Sequence, residues 1–220
     1  MYKGVIFDLD GTIADTLESI AYSANLTLEK CGYKKRPVNE YRYYAGDGAD
    51  VLIQRALIAA GDVTCSSYQQ AMQYYKEIFE ENCMYQVRPF DTMVDTLDSL
   101  KRHGIKIGVL TNKPHSRAIT VVETVFGKGF FDMVLGQQEG IAKKPNPAGA
   151  ILMLRELNIE PDECVYVGDT NVDMETGKNT GMYTVGVLWG FRDRKELEDN
   201  HADEIIEQPH DLLKILSIMI

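Results

Sequence analysis

No stretch of this chain approaches the ~18 consecutive apolar residues that a membrane-spanning helix needs, so no transmembrane segment is expected. Cysteine is sparse. The four present, Cys31, Cys65, Cys83 and Cys164, form no CxxC pair and have no histidine at ligand spacing. A disulfide framework or a zinc site needs tighter clustering, so reduced structural thiols are expected. Positive charge is also in deficit, with 23 Lys and Arg against 33 Asp and Glu and a formal net charge of −10. No basic stripe offsets it, which argues against a nucleic-acid partner. Internal repeats and low-complexity segments are absent. The apolar start Gly4-Val5-Ile6-Phe7 is cut off by Asp8, too short for the centre of a signal peptide, so the expected location is the cytoplasm.

What remains is an ordinary globular composition. At 220 residues, 45% hydrophobic and 25% charged, the chain can bury one core and a modest second unit. Residues 4–7 read as a short buried strand. From residue 16 to residue 82 the pattern is helical throughout, with Leu17, Ile20, Ala24 and Leu28 on one face and Val51, Leu52, Ala56 and Ala59 on another. After Pro89 helix and strand alternate. Strands are expected at 105–110, 133–135, 164–167 and 183–187. Helices are expected at 90–100, 116–126, from Asn146-Pro147 onward, at 173–179 and at 209–220. Short strands that are apolar on both faces and separated by helices imply a parallel sheet covered on both sides. The helical block interrupts this alternation after the first strand and reads as an inserted lid. The expected division is a core of residues 1–14 and 86–220 with a cap of residues 15–85, hinged near 14–17 and 85–89.

Polar clusters follow four of these strands, at the carboxyl ends where parallel sheets gather their functional groups. Asp8-Leu9-Asp10-Gly11-Thr12 places two carboxylates at i and i+2, whose repulsion a nearby cation would relieve. The competing reading is an Asp-Gly turn. Thr111-Asn112-Lys113 offers a hydroxyl, an amide and free backbone N–H groups suited to phosphate oxygens, or simply a helix cap. Lys143-Lys144-Pro145-Asn146-Pro147 carries a lysine whose direction the stiffened backbone could fix, and the plain alternative is a solvated basic turn. Gly168-Asp169-Thr170-Asn171-Val172-Asp173 adds two carboxylates, which could instead serve a helix N-terminus. Taken together, hard oxygen ligands from two strand ends suit Mg2+ shared with a substrate phosphate, and a lysine balances the remaining charge.

These motifs resemble the haloacid dehalogenase superfamily of phosphatases. Asp8-Leu9-Asp10-Gly11-Thr12 is similar to its first motif, Val109-Leu110-Thr111-Asn112 to the second, Lys144 to the third, and Gly168-Asp169 with Asp173 to the fourth. Tyr44 to Leu52, Gly108 to Pro114 and Lys144 to Pro147 are most similar to the phosphoglycolate phosphatase group. The resemblance implies an α/β fold, a Rossmann-like three-layer core with an inserted all-helical cap. It implies a nucleophilic Asp8, an acid–base Asp10, and Mg2+ held by the Asp8 carboxylate, the Asp10 carbonyl and Asp169. Thr111, Asn112 and Lys144 would bind phosphate, with Asp173 orienting Lys144 or a metal-bound water. The substrate implied is a small phosphorylated metabolite.

In the helical block, Gly46, Asp47 and Gly48 form the candidate loop nearest the substrate, and the plain alternative is an ordinary interhelical turn. Arg42 or Arg55 could meet a substrate carboxylate, although a solvated arginine is the simpler reading. The cap segment Tyr41 to Gly46 lacks the histidine that related sugar-phosphate mutases would require. Pyrophosphate and sugar phosphates stand as alternative substrates. A phospho-acceptor signalling module is the non-enzymatic alternative, against which Asp10 and the long lid weigh.

Overall fold

The computed structural model describes residues 2–218. Its chain divides into two compact units, Met1–Asp15 with Pro89–Ile220 and Thr16–Arg88.

The first unit is built on strands β1 (Gly4–Phe7), β2 (Ala14–Asp15), β3 (Arg88–Pro89), β4 (Lys106–Pro114), β5 (Met133–Gln137), β6 (Cys164–Gly168), β7 (Tyr183–Val187) and β8 (Glu204–Ile206). Six of them form one parallel sheet in the order β5-β4-β1-β6-β7-β8, while the two-residue β2 and β3 lie where the chain leaves and re-enters the unit. Every residue of β1 and β6 is buried, as an apolar strand covered on both faces must be. Ile6, Leu110, Leu135, Met153, Leu154 and Tyr166 pack as one cluster between sheet and helices. Each such aliphatic side chain contributes about 1.5–3 kcal/mol by leaving water. This is the covered parallel sheet anticipated from the alternation, and the Rossmann-like α/β core that the resemblance implies.

Helices Met93–Arg102, His115–Phe126, Ala148–Leu157 and Asn171–Thr180 cover the faces. Met93, Leu97 and Leu100 of the first are buried, and Lys101 and Arg102 place positive charge in its last turn, where the helix dipole favours it. Asn146 sits just before Ala148–Leu157, where its Oδ1 accepts from the Ala148 N–H at 3.0 Å.

Several boundaries differ from those the periodicity predicts. Strand β4 continues four residues past Leu110, with a register shift between Leu110 and Pro114. The apolar run does end at Leu110, but Thr111, Asn112 and Lys113 are buried polar residues on extended backbone. A hydrophobicity pattern cannot see such a stretch. Helix Arg194–Asp199 and strand β8 were not anticipated. Near the C-terminus the helix spans Asp211–Ile215, shorter than residues 209–220, of which 219 and 220 lie outside the described residues.

The second unit holds helices Leu17–Lys30, Tyr41–Tyr44, Ala49–Ala59 and Tyr68–Asn82. The first packs against the last, burying Ile20, Ala24 and Leu28 on one side and Ala71, Tyr75 and Phe79 on the other. Asn25 pairs with both backbone groups of Arg36 and accepts from the Tyr41 hydroxyl, closing the turn between them. Asp62 accepts from the backbone N–H groups of Ser66 and Ser67, which fixes the entry to Tyr68–Asn82.

Candidate active site

Register brings the four polar clusters to one edge. Phe7 of β1 is paired with Val109 of β4 and with Val167 of β6. The next residue on each strand therefore emerges at the same level, Asp8 between the ends of its two neighbours. The Asp8 N–H donates to the Val167 carbonyl at 2.9 Å, extending the ladder by one bond. The chain then folds back tightly, with N–H groups of Thr12, Ile13 and Ala14 all directed at the Leu9 carbonyl. Gly11 takes φ +89, and a Cβ there would lie 2.4 Å from Asp169 Oδ2, so the position admits only glycine.

Lys144 crosses this edge. Its Nζ lies 2.6 Å from Asp8 Oδ1 and 2.7 Å from Asp173 Oδ1, all three side chains being nearly inaccessible. Beneath it is the buried Tyr166 ring, its centroid 5.7 Å from the ammonium. Burial alone would lower the lysine's pKa, but the Asp173 and Asp8 carboxylates outweigh it and hold the group well above the ordinary value. Lys144 is thus a fixed cation rather than a proton carrier.

Asn112 reaches the same lysine from β4. Its Oδ1 accepts from the Lys144 N–H at 2.9 Å and its Nδ2 donates to the Lys144 carbonyl at 3.1 Å. This two-bond ring suits an amide, which offers a donor and an acceptor side by side as a peptide group does. Thr111 Oγ1 accepts from the Lys113 N–H at 3.2 Å, and its hydroxyl hydrogen remains available to an incoming oxygen.

Asp173 is saturated. Oδ1 takes the ammonium, and Oδ2 accepts from the Thr170 hydroxyl at 2.8 Å and from the N–H groups of Thr170 and Asp169 at 3.0 and 3.2 Å. It caps helix Asn171–Thr180 and orients Lys144 together. Asp169 has one donor on each oxygen, the Thr12 hydroxyl on Oδ1 and the Phe191 N–H on Oδ2, both at 2.8 Å. Burial first, and the Asp173 charge second, push its pKa up to about 7. Asp8 is likewise raised well above the carboxylate range by burial, against the pull of Lys144.

Oxygens of Asp8, Asp169 and Asp173 lie within 4.8 Å of one another. Three carboxylates against one ammonium leave a formal −2 among buried side chains, a balance that a divalent cation suits. With Asp173 spent on its donors, the oxygens with capacity to spare are those of Asp8 and Asp169. Among the described residues no backbone N–H is bonded to the Asp10 carbonyl, which leaves a third hard oxygen two residues from Asp8. The donor set therefore fits a hard divalent ion.

The Asp10 carboxylate turns elsewhere, to Lys113, whose Nζ lies 2.7 Å from Oδ1. Lys113 is 6% exposed and was not singled out by the sequence. Its signal was its place in Thr111-Asn112-Lys113, two residues along an extended strand from Thr111 and hence on the same side. Trp189 and Phe191 were also missed, because nothing in the composition of the loop after β7 distinguishes it from rim packing.

In the helical unit, Gly46 and Gly48 have φ of +114 and +95, a loop shape that favours glycine at both positions. Arg55 pairs with Asp47 at 2.6 Å and donates to the Tyr44 carbonyl at 3.1 Å, so it braces this loop instead of standing free. Arg42 lies in helix Tyr41–Tyr44, half-buried.

The fold is a Rossmann-like α/β core that gathers three buried carboxylates at the carboxyl end of a parallel sheet. Residues 5–187 match the model of the haloacid dehalogenase-like hydrolases, and the chain belongs to that family. It is 30% identical over 220 residues to the phosphoglycolate phosphatase of Mannheimia succiniciproducens, covering 98% of each chain. It is 28% identical over 212 residues to that of Aquifex aeolicus, covering 96% of this chain and 95% of the relative. A crystal structure from Lactobacillus delbrueckii subsp. bulgaricus, assigned as a phosphoglycolate phosphatase, superimposes with a TM-score of 0.93 at 30% identity over 98% of each chain.

Proposed function

We propose that this protein is a Mg2+-dependent phosphatase that hydrolyses small phosphomonoesters, 2-phosphoglycolate among them, through a phosphorylated Asp8. The observation that carries the reading is the setting of Asp8. Lys144 holds its Oδ1 at 2.6 Å, and its Oδ2 has no hydrogen-bond partner among the described residues. A carboxylate fixed by one oxygen and open at the other is disposed for in-line attack on phosphorus.

Asp8 forms the new bond to phosphorus as the bond to the leaving oxygen breaks, and Asp10 supplies the proton that oxygen needs. Asp10 then takes a proton from the water that attacks the phosphorus of the aspartyl phosphate, which releases inorganic phosphate and restores Asp8. Lys144 and the Thr111 hydroxyl balance charge on the transferring group. Asp8, Asp169 and the Asp10 carbonyl would hold Mg2+, which when bound neutralises charge between the nucleophile and the dianionic substrate. Residues 16–88 are assigned as the cap that recognises the organic part of the substrate, with Gly46, Asp47, Gly48 and Arg42 as its candidate residues. The names of the two relatives support the choice of 2-phosphoglycolate.

The test is phosphate release over a panel of 2-phosphoglycolate, pyrophosphate, sugar phosphates and nucleotides, with Mg2+ and with EDTA. Mg2+-dependent release that is fastest from 2-phosphoglycolate is expected. Release from none of them would refute the activity, and a preference for pyrophosphate would move the substrate while leaving the chemistry.

A further inference from the structure

Three residues after β7 close over Asp169. Trp189 Nε1 donates to the Thr12 carbonyl at 2.9 Å, and the Thr12 hydroxyl donates to Asp169 Oδ1. The Phe191 N–H donates to Oδ2. Gly190, between them, lies so close that a Cβ would stand 2.2 Å from Asp169 Cβ and 2.6 Å from the Gly11 carbonyl oxygen. The second neighbour is backbone and cannot swing aside. The Trp189 ring rests against Phe90, their centroids 6.4 Å apart. The carboxylate is thus gripped from two loops, one after β1 and one after β7.

We infer that Trp189-Gly190-Phe191 is a positioning element that sets the rotamer of Asp169 for the cation, an inference that rests on the metal reading above. A carboxylate has about four acceptor sites, and two donors leave the others directed outward in a fixed plane. Phe191 supplies its bond from the backbone. Trp189 acts one step back, holding the Thr12 carbonyl so that the hydroxyl of the same residue stays aimed at Oδ1. Gly190 is the position at which the two loops approach closely enough to do both. None of the three side chains has a reacting atom to touch, so their effect should fall on metal affinity and not on the chemical step. Outer contacts of this kind are worth about 10–100-fold in metal affinity.

Trp189→Phe removes the N–H and keeps a ring against Phe90. Two measurements read the metal: the rise of Tm with Mg2+ concentration, and the Mg2+ concentration giving half-maximal phosphate release from an aryl phosphate. Both should move to about tenfold higher Mg2+, with an unchanged rate at saturating Mg2+. Gly190→Ala should shift both further. A Trp189→Phe protein that folds and keeps the wild-type Mg2+ requirement in both measurements overturns the inference, and if it does not fold, Gly190→Ala with a wild-type requirement does so. A wild-type protein indifferent to Mg2+ removes the metal reading and this positioning role with it.

Discussion

Lys113 and Asp10 form a part-buried ion pair at the carboxyl end of the sheet, Nζ to Oδ1 2.7 Å, with side chains 3% and 18% exposed. The lysine comes from β4 and the aspartate from the turn after β1, so the bond spans two strands and fixes where the Asp10 carboxylate stands. If Asp10 handles the leaving-group proton, Lys113 governs its aim. Lys113→Met should lower kcat about tenfold, part of the 10²–10⁴ that a positioned acid contributes. The loss should grow as the leaving group of an aryl phosphate becomes more basic. A uniform loss across leaving groups would place Lys113 outside proton transfer.

Asp10→Asn removes the proposed proton donor itself. The expected fall in kcat is about 10²–10⁴, with Asp8 still able to attack. Rapid-quench kinetics with a very good leaving group, which needs no proton, should recover much of the first step. No recovery would argue that Asp10 serves another purpose.

Lys144→Ala leaves Asp8 and Asp173 buried beside each other without their shared cation. Breaking a buried pair in this way costs about 3–5 kcal/mol, which urea unfolding can measure without any substrate. Added Mg2+ should return part of the loss by supplying positive charge to Asp8. An undiminished stability would show that water reaches these carboxylates.

Asp169 makes the metal-free protein sensitive to pH in an unusual direction. Its pKa is about 7 in the fold, raised by burial and then by Asp173, against 3.8 for an ordinary aspartate. Between those values the folded protein keeps a proton that the unfolded chain releases, so stability falls as pH rises from about 4 to 7. Asp62 acts oppositely but lower: held at about 2 chiefly by the N–H groups of Ser67 and Ser66, it stabilises above about 4 and loses this as pH falls. Calorimetry without metal should show Tm decreasing toward pH 7, with the slope reduced in Asp169→Asn. Mg2+ should raise Tm more at pH 8 than at pH 5.

The sequence made the site legible where one strand end announced itself, as Asp8-Leu9-Asp10-Gly11-Thr12 does, because an acidic pair after an apolar run has few structural uses. It was least legible where a side chain's partner lies on another strand. Nothing in the chain signals that the Asn112 amide also pairs with the Lys144 backbone, because only the fold brings the two together. Lys113 hides in an extended polar stretch that hydrophobicity reads as a strand already finished. Trp189 and Gly190 matter through a loop-to-loop approach that no spacing encodes. Strand β8 escaped notice because it is short and sits at the sheet edge, where Glu204 is exposed and apolar patterning is weak.

The account turns on phosphate passing through Asp8. Borohydride added to the enzyme during turnover of a phosphomonoester, followed by peptide mass spectrometry, reads this directly, because an acyl phosphate is reduced and a free carboxylate is not. Conversion of Asp8 to homoserine, dependent on substrate, is the expected result. Sustained phosphate release with Asp8 unmodified, or with the conversion at another aspartate, would contradict it.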